Sequence, residues 1–299
     1  MNVTFRNVGF EYSIESILLF QTEDTNSYWS DSLYYFYPEI NQNIQALQER
    51  EKEDYLRATL QKVWDRVLPE IEAKEYRYHE HFQKYRNQIE DALSDAFELD
   101  SRTMFNELLA NITLNPICPR FLREEKFDLF YMNSERGALG ITLHEVIHYF
   151  WFFVWNRHFR DSYDEYETPS LQWILSEMVV ESIMSDKRLS TINPYYPREE
   201  GACVYRYFLD MKIEGKLILD TRSYMKITLL PPIWKRLMIT ASVMKRKFGN
   251  IFDRVRTAQL SPVRRNEIRK ILLCKLDYEK IPEADINVII TISEGISRV

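Results

Sequence analysis

The stretch Gly140-Ile-Thr-Leu-His-Glu-Val-Ile-His-Tyr-Phe150, near the middle of the 299-residue chain, restricts the fold more than any other segment. His144 and His148 stand four positions apart with Glu145 directly after the first. On a helix, four positions turn a side chain by only about 40°, so both imidazoles leave one face. Glu145 is turned by about 100° from His144 and can reach a water beside the histidines without sharing their role. Tyr149-Phe-Trp-Phe-Phe-Val-Trp155 extends the same helix and is apolar on every side, as expected for a helix in the middle of a large core. With five histidines in the chain, this pattern arises by chance at roughly 1%.

The arrangement suits a metal ion. Neutral imidazoles hold Zn²⁺, a carboxylate stands beside the open position, and the ion lowers the pKa of its water toward neutrality. A catalytic zinc needs a third protein ligand, with the fourth position left to water. The next expected helix, Ser170 to about Lys187 with Pro169 at its start, offers Glu177 and Glu181, four apart on one face. They lie among Trp173, Ile174, Leu175, Met178, Val179, Val180 and Ile183, so at least one faces a core and needs a charged partner or a metal.

With these residues in place the chain resembles the gluzincin metallopeptidases, the group that holds thermolysin and the zinc aminopeptidases. In that group a His-Glu-x-x-His helix is followed by a second helix carrying a ligand glutamate, with an acidic residue four positions later. The resemblance covers roughly residues 111–186. It implies that His144 and His148 are zinc ligands, Glu145 the general base and Glu177, in Leu-Ser-Glu, the third ligand. Glu181 then falls where the group has a carboxylate that accepts a hydrogen bond from a ligand histidine, here His144, and fixes its tautomer. The group also steadies the oxyanion with a downstream Tyr or His. Tyr205 is the candidate carried forward, with Tyr207, Tyr163 and Tyr166 as alternatives. The chain departs from that group's zinc aminopeptidases in lacking a Gly-x-Met-Glu-Asn exopeptidase motif. His158 follows His148 by ten positions without the glycine pattern of metzincins, which disfavours it as a ligand.

Composition narrows the function classes. The formal net charge of -6 provides no global basic field for nucleic acid, and Lys245-Arg246-Lys247 and Arg264-Arg265 read as solvated helix faces. Cys118, Cys203 and Cys274 are scattered without CxxC spacing, which fits reduced thiols and a cytoplasmic setting. Neither a secretory leader nor a membrane span is expected: Ile17–Phe20 is too short for the first, and the apolar run to Trp155 falls short of the roughly 20 residues a span requires.

Taken in order, residues 1–38 hold short alternating or aromatic pieces (3–8 and 34–37) that read as strands or an irregular cap. From Pro38 to about Glu98 the apolar spacing is helical, and Pro69 predicts a break between two long antiparallel helices. Tyr78-His79-Glu80-His81 puts two histidines about 200° apart on such a helix, so they cannot share an ion. Ser101 reads as the cap of a short helix to Leu109, and 111–119 and 127–132 as strands, the second able to align an extended peptide along a free edge. Gly137 or Gly140 marks the entry to the motif helix, which runs to about Arg157. Further helices are expected at 203–213, 233–248 and from Ser261 to Leu276, and a closing strand at 286–292.

The expected fold is mainly α with a small β-sheet (α+β), a zincin-like catalytic core at 101–215 between an N-terminal region of long helices (1–100) and a C-terminal helical region (216–299). The expected activity is zinc-dependent hydrolysis of a peptide or protein substrate. Two other readings stay open: a non-catalytic zinc-stabilised binding protein with the same fold, and a helical binding protein whose His-Glu-x-x-His is coincidental. Substrate identity, internal or terminal cleavage and oligomeric state leave no mark in the sequence.

Overall fold

From Leu56 to Phe97 a buried side chain recurs every three or four residues, through Leu60, Val63, Val67, Ile71, Lys74, Tyr78 and Phe82 and again from Ile89 through Leu93, with half-buried Tyr85 and Arg86 bridging the interval. The computed structural model, which describes residues 1–21, 27–40, 44, 46–159, 171–184, 186–193, 212–213 and 216–217, shows why. Helix α3 spans Glu49–Phe97 as a single element and carries Pro69 in its interior. The expected helical pair is therefore one helix. An interior proline costs about 3 kcal/mol, whereas each buried Leu, Ile, Val or Phe contributes about 1.5–3 kcal/mol. The stripe continues on both sides of Pro69, which itself sits on the exposed face, so burial outweighs the lost bond.

The described residues divide into two compact units, Met1–Asp91 with Asp100–Val146, and Ala92–Leu99 with those between Ile147 and Ser297. The first unit holds β1 (Val3–Asn7), α1 (Gly9–Leu18), α2 (Ser27–Phe36) and most of α3. It continues with β2 (Leu108–Thr113), β3 (Arg120–Phe121), β4 (Lys126–Phe130) and the start of α4 (Glu135–Phe159). The 34–37 segment, read as a possible strand, falls largely within α2. Asp100, not Ser101, caps a single 3₁₀ turn at Ser101–Thr103, and Ser101 Oγ instead donates to Glu90 O at 2.7 Å.

The sheet order is β1-β2-β4-β3. The first three strands are parallel, with Val3 opposite Leu108 and Leu109 opposite Lys126; β3 is antiparallel, with Arg120 opposite Phe127. Strands covered on both faces carry continuous apolar runs, and β2 and β4 follow that rule apart from Asn111, Thr113 and Asp128. Asp128 is fully buried and accepts from Ser16 Oγ at 2.5 Å, Tyr12 Oη at 3.0 Å and Asn111 Nδ2 at 3.2 Å. Burial drives its carboxyl above the ordinary value, against the pull of those donors. Asn111 Oδ1 in turn accepts from Arg6 Nε at 2.8 Å.

The turn from β4 into α4 is tied to α3. Lys74 Nζ donates to the carbonyls of Tyr131 and, at 2.9 Å, Asn133, while pairing with Glu70 Oε1 at 3.1 Å. Tyr78 Oη donates to Asn133 O at 2.6 Å. Ser134, rather than either glycine, caps α4: its Oγ accepts from Gly137 N at 3.1 Å, and Glu135 adds a negative charge to the first turn.

In the second unit, α4 continues with Tyr149, Phe150, Trp151, Phe152 and Trp155 fully buried, and Phe150 stacks on Phe97 at 5.4 Å. By length and composition α4 is the one described helix able to cross a membrane, but 72% of its most apolar window is buried inside the protein, as in a core helix. Helix α5 (Leu171–Met184) buries Val179, Val180, Ile183 and Met184. Helix α6 (Lys187–Ile192) follows, capped by Asp186, whose Oδ1 accepts from Arg188 N at 2.8 Å. Arg188 also bonds Asp95 at 2.5 Å. Strands β5 (Lys212–Ile213) and β6 (Lys216–Leu217) form an antiparallel pair, so the helix expected at 203–213 does not extend to its last two residues. The helices and strand expected beyond residue 217 lie outside the described residues.

Candidate metal centre

Helix α4 holds the histidines where the four-residue spacing puts them. One donor atom from each of His144, His148 and Glu177 lies within 4.8 Å of the other two. His148 Nε2 and Glu177 Oε1 are 3.3 Å apart. Two ligands at about 2.0–2.1 Å from one tetrahedral ion are separated by about 3.3 Å, so this pair is already at the spacing a shared cation requires. Two imidazoles and a carboxylate are also a donor set that borderline-soft divalent ions accept, and the site fits a zinc ion on both counts.

Burial is graded across the three donors. The His148 side chain is fully buried and its ring lies nearly parallel to Phe152, 15° apart, with centroids at 6.1 Å. Glu177 is 19% exposed and His144 36% exposed. Ser176, the residue before the carboxylate, is buried and turns its hydroxyl back to Trp173 O at 2.7 Å, a bond that keeps it within α5.

Glu145 points two ways. Its Oε1 stands 3.9 Å from His144 Nε2, and its Oε2 accepts from Arg120 Nη1 at 2.9 Å. Both partners of the second contact are nearly buried, 10% exposed for Arg120 and 9% for Glu145. Charge-assisted bonds of this kind are short and directional, and stronger away from water. Arg120 carries no distinguishing local pattern: it precedes the charged turn of Arg123 to Lys126, and nothing in sequence separates it from that cluster. The structure alone singles it out, by placing it on β3 beside β4.

That placement corrects the reading of 127–132 as a free edge. β4 lies between β2 and β3, and its outward amides are taken, Asp128 N by Pro119 O at 2.8 Å and Phe130 N by Cys118 Sγ at 3.2 Å. The edge is the two-residue β3. Cys118, with φ 56°, turns the chain into that edge, and burial, with Glu145 adding to it, pushes its thiol up to about 12. A thiol so raised is not a nucleophile near neutral pH.

His79 is exposed and His81 half-buried on α3, and neither joins the cluster. His158 is exposed, packs edge-on to Phe159, and is likewise outside it. Glu181 lies on α5 one turn beyond Glu177, and its side chain lies outside the described residues, as do Tyr163, Tyr166, Tyr205, Tyr207, Cys203 and Cys274. Comparison with protein-family models, curated proteins and solved structures finds no match for the chain.

Proposed function

We propose that the chain is a zinc-dependent metallopeptidase of the gluzincin kind, built on a zincin-like core. The observation that carries this reading is the convergence of His144, His148 and Glu177, with Glu145 Oε1 3.9 Å from His144 Nε2. A four-stranded sheet with one antiparallel edge strand, followed by the motif helix and then the helix bearing Glu177, supports it further.

His144, His148 and Glu177 would hold a divalent ion, which when bound would supply Lewis acidity toward a scissile carbonyl and an acidified water. Glu145 Oε1 would accept a proton from the attacking water and pass it to the leaving amine. His148, sealed among aromatic side chains, fixes the inner side of the site, and His144 forms its solvent-facing side. The substrate is an extended peptide or protein segment, the ion Zn²⁺ and the setting cytoplasmic; no nucleic acid or membrane partner is invoked.

Metal analysis of purified protein should find one equivalent of zinc. A peptide library should be cleaved in a chelator-sensitive way, and Glu145→Gln should abolish cleavage while zinc remains bound. Zinc without cleavage of any peptide converts the assignment to a zinc-stabilised binding protein. Protein that takes up no zinc, and whose melting temperature zinc does not move, ends the metal reading altogether.

A further inference from the structure

Glu145 is one helical step from His144, and a carboxylate so placed can swing onto a cation as a further ligand. Doing so would fill the position that water or substrate requires. Something must hold it as a base, and the edge strand supplies that group.

Arg120 donates through Nη1 to Glu145 Oε2 at 2.9 Å, leaving Oε1 as the oxygen that faces His144. The guanidinium is delivered from fixed backbone: Arg120 is in register with Phe127, and the two residues before it accept the Asp128 and Phe130 amides. Its side chain is 10% exposed, so little water competes for the contact. A planar guanidinium also fixes the plane of the carboxylate it binds, which a point-charge ammonium does not. We propose that Arg120 is a positioning residue that keeps the Glu145 carboxylate off the cation and aimed as a base. This inference rests on the metallopeptidase reading and extends it to a residue outside the two motif helices.

The test uses the full chain loaded with Co²⁺ in place of zinc, with Arg120→Met and Arg120→Lys variants. A five-coordinate Co²⁺ ion absorbs visible light more weakly than a four-coordinate one, so the spectrum counts ligands without any substrate. In Arg120→Met the visible band should weaken as Glu145 joins the ion, and the double variant Arg120→Met with Glu145→Gln should restore it. Where peptide cleavage is measured, Arg120→Met should lower kcat by about 100-fold, the range in which a positioned base operates, and leave KM within about twofold. Arg120→Lys keeps the charge and should retain the band, with an intermediate kcat.

A visible band and kcat unchanged in Arg120→Met would overturn the positioning role while leaving the metallopeptidase reading intact. Should Arg120→Met fail to fold, Arg120→Gln takes its place, and a wild-type band with wild-type kcat in that variant overturns the positioning role equally. Wild-type protein that binds no Co²⁺ overturns both inferences together.

Discussion

Two buried carboxylates in the same compact unit are held in opposite ways. Asp128, inside the sheet, has its two oxygens occupied by three neutral donors, Ser16, Tyr12 and Asn111. Glu145, on α4, gives one oxygen to a guanidinium and turns the other toward an imidazole. The first arrangement closes every direction and pushes the carboxyl pKa upward through burial. The second compensates the charge from one side only and leaves the other available for chemistry. Burial alone therefore does not separate the two carboxylates; the direction of the second oxygen does.

Substitutions test this contrast, and the largest effect should fall on activity. Glu145→Gln preserves shape and the acceptor oxygen for Arg120 but removes the base, and peptide cleavage should drop by about 100-fold or more; the melt should fall as well, because the nearly buried Arg120 charge loses its counterion. An equal loss from Asp128→Asn at constant fold would erase the distinction. Asp128→Asn should instead act on stability, by about 3 kcal/mol in denaturant unfolding, because an amide nitrogen, itself a donor, replaces an oxygen that accepts from Ser16, Tyr12 or Asn111.

The pH dependence sharpens the same point. With its carboxyl raised above the ordinary value, folded Asp128 holds a proton to higher pH than the unfolded chain does. Between those two values the folded state binds more protons, so this group's contribution to stability falls as pH rises. The stability gap between wild type and Asp128→Asn should narrow from about pH 4 upward, measured as denaturant midpoints. A gap that widens would mean the network, not burial, dominates the carboxyl.

A third buried charge, Lys74, caps backbone carbonyls where the chain enters α4. Lys74→Met should cost about 2 kcal/mol by removing the close donor to the Tyr131 carbonyl, while Asn133 O keeps Tyr78 Oη, and calorimetry should show the loss. Ser134→Ala removes the α4 cap and should cost about 1 kcal/mol, the smallest of these effects.

Local patterns made the two motif helices legible. The four-residue spacing put the histidines on one face, and the apolar run to Trp155 announced a core helix. The alternation at 3–8 left strand and irregular cap both open, and the structure makes it β1. Pro69 misled because a single breaker is visible locally, whereas the buried stripe that overrides it runs over some ten turns. Arg120 escaped because its role depends on a pairing across the sheet, and no local spacing encodes which strand lies at an edge. The free edge assigned to 127–132 failed for the same reason, as β3 is too short to leave a periodic trace.

On the proposed metal reading, the unequal exposure of the two histidines would set an order of events. A hydrated ion arriving from bulk solvent would meet His144 first, and would reach the sealed His148 only after shedding part of its water shell. Loading should then be a two-stage process whose slow stage is dehydration, and a chelator approaching from outside should capture the ion only after its inner bond has opened.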